Sequence, residues 1–215
     1  MDDFTVPADV AVQLRGALYV EMARAAGDLE PACSTTIPGD VAGAVSRLRA
    51  VFALLDDIGW DKTTPDPDGL TIDGKHFGIV IEALERDREG WQDTAESPEL
   101  EDLPGRERAK ATADLIWQFV SDELCRHTGD ELLEFLSPEV VIELADALRD
   151  EGRALAPTTR AQARYVPNDR DLEMLRARLI DQLTLKQIGE RHGVTKEVVR
   201  RALVEHFGIT GWRRW

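Results

Sequence analysis

The residues of this chain that could carry catalysis or bind a metal ion are its histidines, its two cysteines and a few neighbouring carboxylates. The four histidines are His76, His127, His192 and His206. No two of them have the spacing at which one helix presents a pair of metal ligands. The nearest grouping runs from Cys125 to Glu131, and its composition is more typical of a capped helix end with solvated charges than of a catalytic centre.

Carboxylates that are close in the sequence could bind a divalent cation. Asp56 and Asp57 are adjacent, and Asp66 and Asp68 stand within the segment PDPDG. A calcium-binding loop needs further oxygen ligands at fixed positions, which this segment lacks. The chain also has no glycine-rich loop that would bind a phosphate. We therefore predict that the chain is not an enzyme and that it has neither a cofactor nor a metal site.

The charges of the chain are distributed unevenly. The formal net charge is −15 over 215 residues. Residues 155–215 carry 12 Lys+Arg against 7 Asp+Glu, a net charge of +5, whereas residues 1–154 carry 14 against 34, a net charge of −20. A basic segment favours a polyanionic partner, and an acidic one opposes it. The sequence therefore predicts two parts with different roles.

Three short helices are predicted within the basic part. The first covers Asp171 to Gln182, the second begins after Thr184 and ends at Gly193, and the third begins after Thr195. Threonine caps the start of a helix with its hydroxyl group, and glycine ends a helix because it adopts the left-handed conformation readily. A three-residue turn of this kind joins two helices that cross at a steep angle.

The sizes of the side chains in this segment fit two closely packed helices. Gly189 lies where the second and third helices come closest, so that only a small side chain fits there. The predicted core consists of Ile188, Val194, Val199 and Leu203. The outward positions of the third helix are polar and mostly basic: Thr195, Lys196, Glu197, Arg200 and Arg201.

Residues 169–207 resemble the helix-turn-helix of the group that comprises sigma-factor region 4, the resolvases and invertases, and the homeodomain-like proteins. The resemblance rests on the small residue at 189, the sequence G-V-T at 193–195 and the pattern V-x-R-x-L at 199–203. It covers about a fifth of the chain. The acidic part resembles uncharacterised helical proteins of actinobacteria through LRGALYVEMARAAGDL and AVFALLDDIGW, which implies no function.

The helix-turn-helix resemblance implies a transcriptional regulator that reads duplex DNA with its third helix in the major groove. The planar fork of arginine suits guanine edges and phosphates, which is the role expected of Arg200 and Arg201. Thr195 and Lys196 are placed for phosphate or base contacts at the start of the helix, and Glu197 is placed to accept from a cytosine amine. The other residues assigned to DNA are Lys186, Gln187, Arg213 and Arg214.

A function of a different class fits the same segment. Its three helices could dock on RNA polymerase or another regulator without binding DNA. Docking would depend on apolar side chains such as Val198 or Val204, whereas DNA reading would depend on Arg200 and Arg201. The tail GITGWRRW suits a phosphate backbone, or folds back to cover a small core with one of its tryptophans. Arg160 and Arg164 suit either a minor-groove arm or a solvated linker.

Residues 1–154 are predicted to form an acidic domain of several helices, followed by a linker at 155–168 and the DNA-binding domain at 169–215. Apolar residues recur at helical spacing in the acidic part, and Ser137 followed by Pro138 marks a helix start. The segment from 30 to 40 is predicted to be a loop. A short extended piece at 70–72 is the one strand-like feature, so the predicted fold class is all-α.

The acidic part allows several roles. Its charge can keep the chain soluble, dock on a basic partner, cover the basic part, or imitate DNA towards a DNA-binding protein. A homodimer formed through it would suit a palindromic site. The start MDDFTVPADV lacks the features of a secretory signal, and no apolar run is long enough to cross a membrane. The sequence therefore predicts a cytoplasmic protein.

Overall fold

The computed structural model describes an all-α protein, as predicted. The ranges whose backbone it describes are residues 2–34, 38–59, 69–97, 103–155 and 166–210. Within them lie nine α-helices and one sheet of two short antiparallel strands. None of these helices combines the length and apolar character needed to cross a bilayer. The chain divides into two compact units, Met1–Val120 and Ser121–Trp215.

The first unit is built on long helices that pack around one apolar core. Its helices are α1 (Ala8–Ser34), α2 (Pro38–Asp57), α3 (Phe77–Glu96) and most of α4 (Leu103–Leu124). Helix α1 packs against both α2 and α3. The side chains buried in this unit include Leu14, Leu18, Leu54, Ile81 and Leu84. Strands β1 (Phe4–Val6) and β2 (Leu70–Ile72) pair with Phe4 opposite Ile72, and the ring of Phe4 meets that of Phe77 edge-on.

Two features of the first unit differ from the predictions. The predicted loop at 30–40 is helical at 30–34 and 38–40, because α1 and α2 extend towards each other. Strand β1 was not predicted, although the extended piece at 70–72 was. A three-residue strand shows too little alternation to be recognised, and its partner lies more than sixty residues away in the sequence. The acidic segment containing Asp66 and Asp68 lies outside the described residues.

The second unit contains the end of α4 and five further helices. They are α5 (Gly129–Leu132), α6 (Pro138–Asp150), α7 (Asp169–Leu179), α8 (Leu185–His192) and α9 (Lys196–Phe207). The predicted N-caps are confirmed, because the hydroxyl groups of Ser137, Thr184 and Thr195 each accept a hydrogen bond from the backbone three residues later. Helix α7 begins after Asn168, two residues before its predicted start.

The C-terminal helices belong to a larger unit than the segment 169–215. Helix α6 packs against α7, and Arg149 Nη1 lies 2.5 Å from Asp169 Oδ1. Beyond α9, the carbonyl oxygen of Gly208 accepts a hydrogen bond from the backbone of Asp130, at 3.3 Å. The two compact units thus meet after residue 120 in the sequence, whereas the predicted linker lies at 155–168. Residues 156–165 of that predicted linker, with both of its arginines, lie outside the described residues.

Candidate nucleic-acid interface

Helices α8 and α9 are joined by a tight turn whose geometry depends on two glycines. Gly193 has the left-handed conformation, with φ 67° and ψ 33°. The backbone nitrogen of Val194 donates to the carbonyl oxygen of Gly189 at 2.8 Å. A Cβ atom on Gly189 would lie only 2.6 Å from the carbonyl oxygen of Val194. The two helices therefore meet through backbone contact, which fixes the position of α9 relative to α8.

Side chains predicted to contact DNA or to cap a helix form hydrogen bonds at the starts of α8 and α9. Gln187 Oε1 accepts hydrogen bonds from the backbone nitrogen of Thr184 at 2.9 Å and from its hydroxyl group at 2.8 Å. The hydroxyl of Thr195 accepts from the nitrogen of Val198 at 3.4 Å. Gln187 and Thr195 thus both have structural roles, and the amide nitrogen of Gln187 is the part still suited to an external partner.

The small core beneath the turn is largely the predicted one. Ile188, Val199 and Leu203 are fully buried, whereas Val194 is only half-buried. Phe207, at the end of α9, is also fully buried. Helix α7 contributes an inner face to the same core, made by Leu172, Met174, Leu175 and Leu179. The core holds α9 by one side and leaves the opposite side in solvent.

The exposed side of α9 carries charges of both signs, and we call it the α9 face. Its residues are Lys196, Glu197, Val198, Arg200, Arg201 and Glu205. Arg200 Nε donates to Glu197 Oε2 at 3.0 Å, and Arg201 Nε lies 3.9 Å from Glu205 Oε1. Lys196 forms no ion pair within the part of the chain that the structure describes. Each arginine is therefore extended along the helix surface beside a carboxylate.

These ion pairs are weak enough to be exchanged for pairs with another anion. The side chains of Arg200 and Arg201 are 53% and 72% exposed. An exposed pair of this kind contributes about 0.2–1 kcal/mol, so a phosphate or a guanine edge can compete with the carboxylate. On α8, the ammonium group of Lys186 lies 3.8 Å from a carboxylate oxygen of Glu190 and is similarly exposed.

The structure brings together five of the nine residues predicted to contact DNA, and it places two others on the preceding helix. Thr195 caps the start of α9, residues 196, 197, 200 and 201 lie on its first two turns, and Lys186 and Gln187 lie on the first turn of α8. Arg213 and Arg214 lie outside the described residues, as do the two tryptophans beside them.

One feature of the site was not predicted from the sequence, whereas another fits the docking alternative. Val198, which that alternative names together with Val204, is 46% exposed on the α9 face, and Val204 is half-buried. Arg170 Nη2 donates to the carbonyl oxygen of His192 at 2.7 Å and so caps the last turn of α8. No short-range pattern predicts this contact, because the two residues lie 22 positions apart in the sequence.

Comparison with protein-family models, curated proteins and solved structures finds no match to this chain. The resemblance to the helix-turn-helix group consequently remains a prediction that rests on the motif. Among the described residues, no three His, Cys, Asp or Glu side chains are grouped as a metal site would require.

His206, beneath this face, is expected to make the stability of the second unit dependent on pH. Burial lowers its pKa below the ordinary value of 6.5, although Asp171 and Glu205 oppose that change. The unfolded chain then binds a proton more readily than the folded one. We expect the free energy of unfolding to decrease as the pH falls through 6.5 towards the lower folded pKa, and the contribution of His206 to be constant above that range.

Urea denaturation of the full chain between about pH 5 and pH 8 would test this expectation, because this window spans the ordinary histidine pKa and the range below it into which burial moves the pKa of His206. The His206→Gln variant should show a flatter pH dependence than the native chain. An equal slope in the native chain and the His206 variant would contradict the assignment.

Proposed function

We propose that this chain is a transcriptional regulator that binds duplex DNA by inserting α9 into the major groove. The observation that carries the proposal is the α9 face: three exposed cations on a short helix whose start is fixed by the backbone contact at Gly189. A helix held by its neighbour in this way can present side chains to base edges in a constant orientation. Cytoplasmic action fits this function and remains a prediction.

The individual side chains suit different base contacts. Arg201 and Arg200 carry two parallel N–H donors, which match the O6 and N7 atoms of guanine. Glu197 can accept from the amine of cytosine, and the exposed methyl groups of Val198 can contact the methyl group of thymine. Lys196 suits a phosphate at the start of the helix, where the helix dipole also attracts an anion. The face would therefore read a short sequence of mixed composition.

The carboxylates of the face favour selectivity over general affinity. Five Lys/Arg residues on α8 and α9 (residues 186, 191, 196, 200 and 201) are accompanied by three glutamates at 190, 197 and 205. Each glutamate repels phosphates unless its arginine or lysine exchanges partners. The net charge of −15 weakens non-specific attraction to DNA further. We expect weak binding to random duplex and a marked gain on the preferred sequence.

The proposal is tested by selecting duplexes from a random-sequence pool with the full chain at low salt, and then measuring the affinity of the selected duplex against salt concentration. We expect a linear decrease of log K with log [salt], with a slope of about −4 if the four described cations predicted to contact DNA (residues 186, 196, 200 and 201) replace counterions, and a steeper slope if Arg213 and Arg214 do so as well. The Lys196→Ala variant should weaken binding to all duplexes to a similar extent and reduce the slope by about 1.

Two results would reject the proposal. One is the absence of duplex binding at low salt with folded protein. The other is binding that all duplexes show equally and that Lys196→Ala leaves unchanged, because such binding would come from another part of the chain. Lys110→Ala, on α4 of the first unit, serves as the matched control and should leave both affinity and slope unaltered.

The exposure of Val198 supports a second candidate function, in which the α9 face docks on RNA polymerase or another regulator. An apolar side chain at the centre of a charged face is typical of protein–protein contacts. If the chain binds no duplex, the same face can be tested against purified RNA polymerase. Docking predicts that Val198→Ser abolishes that binding while Arg200→Ala leaves it nearly intact.

A further inference from the structure

The outer side of α1 is apolar and carries no carboxylate among the side chains that the structure describes. The exposed positions from Val10 to Gly27 are Val12, Gly16, Tyr19, Val20, Ala23, Arg24, Ala26 and Gly27, and we call them the α1 face. Val20 is 63% exposed, Val12 48% and Tyr19 40%. Arg24 is the one charged residue among these eight positions.

This composition is unusual for a solvent-exposed helix of so acidic a unit. Residues 1–120 contain 24 Asp+Glu against 11 Lys+Arg, yet none of these acids lies on the α1 face. The opposite side of the helix is also apolar, since it buries Val10, Leu14 and Leu18. A helix that is apolar on both sides is normally covered on both sides, and exposed apolar patches mark interaction surfaces.

A groove of about 550 Å³ lies beside the α1 face, between α1 and α3. Among its lining residues, Ala17, Ala83 and Gly90 have small side chains or none. Glu21, which is buried, also lines the groove and forms an ion pair with Arg86. Val20 and Arg24 belong both to the groove and to the α1 face. The groove and the face are therefore one continuous surface.

The rim of this groove on α3 is acidic. Glu89 and Asp93 are exposed there, and Asp87 accepts a hydrogen bond from Trp91 Nε1 at 3.1 Å. Asp93 and Arg24 form no hydrogen bond or ion pair within the described residues, although both line the groove. Among the described side chains the surface thus offers a cation on α1 and a carboxylate on α3 that have no partner, and the two complement each other between two molecules.

We propose that the α1 face binds a second copy of this chain, and that Arg24 of each copy enters the groove of the other to pair with Asp93 and Glu89. A twofold arrangement places the same surface on both copies, so one patch must supply both the cation and the carboxylates. This surface does. Two chains of charge −15 also repel each other, and within the α1 face itself no described carboxylate adds to that repulsion.

The helices can approach closely in such a dimer. Ala23 and Gly16 have small side chains or none, and no atom outside the helix lies within 4 Å of a Cβ placed on Gly16. Two antiparallel α1 helices can therefore pack with Val20 and Tyr19 buried between them. Arg24 of one copy adds a positive charge beside Glu89 and Asp93 of the other copy. This dimer does not depend on the proposed function, and it is measured without DNA.

Sedimentation velocity of the full chain from about 1 to 100 µM tests the proposal, a range that detects dissociation constants typical of a modest apolar interface. We expect a dimer. Val20→Asp should weaken it by roughly a hundredfold or more, because it buries an unpaired charge. Arg24→Glu alone, and Glu89→Lys combined with Asp93→Lys, should each weaken it similarly, because like charges then face each other.

A mixture of the two charge variants gives the decisive result. In a heterodimer of Arg24→Glu with Glu89→Lys/Asp93→Lys, one contact joins the introduced glutamate to the two introduced lysines, and the other contact keeps the native arginine beside its two carboxylates. Both contacts then join opposite charges, so the mixture should form a dimer that neither variant forms alone. Arg47→Glu, an equal charge change at an exposed position of α2, is the control and should leave the dimer unchanged. Circular dichroism confirms that each variant is folded.

Three outcomes would overturn the proposal. A chain that is monomeric at the highest concentration has no such dimer. A dimer that resists Val20→Asp uses another surface. A mixture of the two charge variants that stays monomeric rules out the exchange of Arg24 between copies.

Discussion

Replacing Arg201 by alanine is expected to weaken binding to the selected duplex by roughly 5- to 150-fold, because a bidentate arginine–guanine contact is worth about 1–3 kcal/mol. Arg201 is the most exposed arginine of the α9 face, and a carboxylate oxygen of Glu205 lies 3.9 Å from its Nε atom. Because this ion pair is weak, little interaction energy is lost when Arg201 binds a base instead. Electrophoretic or fluorescence titration of the selected duplex and of a variant duplex measures the effect.

The Arg201→Lys variant distinguishes the recognition of bases from the attraction of a positive charge to DNA. Arg201→Lys keeps the positive charge but loses the planar fork, so it should retain the salt dependence and lose most of the discrimination between the two duplexes. Arg176→Ala, which removes an exposed arginine from α7, serves as the control and should bind as the native chain does. Full discrimination by both Arg201 variants would show that another residue reads the sequence.

Replacing Gly129 by alanine is expected to destabilise the second unit by about 1–3 kcal/mol, as overpacking of a tight contact does. A Cβ atom at this position would lie 2.5 Å from Ile209 Cδ1 and closer still to the carbonyl oxygen of Phe207. The carbonyl belongs to the last turn of α9 and cannot move without shifting that helix. Urea denaturation of the full chain measures the loss.

Gly43 provides the matched control for this substitution. It lies in α2, and a Cβ there would meet no atom within 4 Å outside its own helix. Gly43→Ala should therefore stabilise the first unit by up to about 1 kcal/mol, because alanine favours the helix. If Gly129→Ala were as stable as the native chain, the contact between the start of α5 and the end of α9 would not exist in solution.

The parts of the candidate site that were predicted correctly depend on interactions between near neighbours. Thr184 and Thr195 cap their helices through bonds to residues three positions later, and Gly193 ends α8 by its own backbone conformation. The separation of buried Ile188 and Leu203 from exposed Arg200 and Arg201 follows from helical periodicity. Caps and helical periodicity involve residues within one or two helical turns of each other, so they can be recognised in the sequence alone.

The parts that were missed depend on residues far apart in the chain. The side chain of Asp130 accepts a hydrogen bond from the backbone nitrogen of Thr210 at 2.6 Å, across 80 positions. This contact ties α5 to the end of α9, and no local pattern marks it.

By itself the sequence determined the all-α class, the capped helices α8 and α9 and the polar outer side of α9, because capping and periodicity act over a few residues. The tertiary structure alone decided which helices share a compact unit, which arginines lie beside carboxylates, and which apolar side chains of α1 stay exposed. Those outcomes depend on the packing of helices that are distant in the sequence, and the energy of such packing is not displayed by any one segment of the chain.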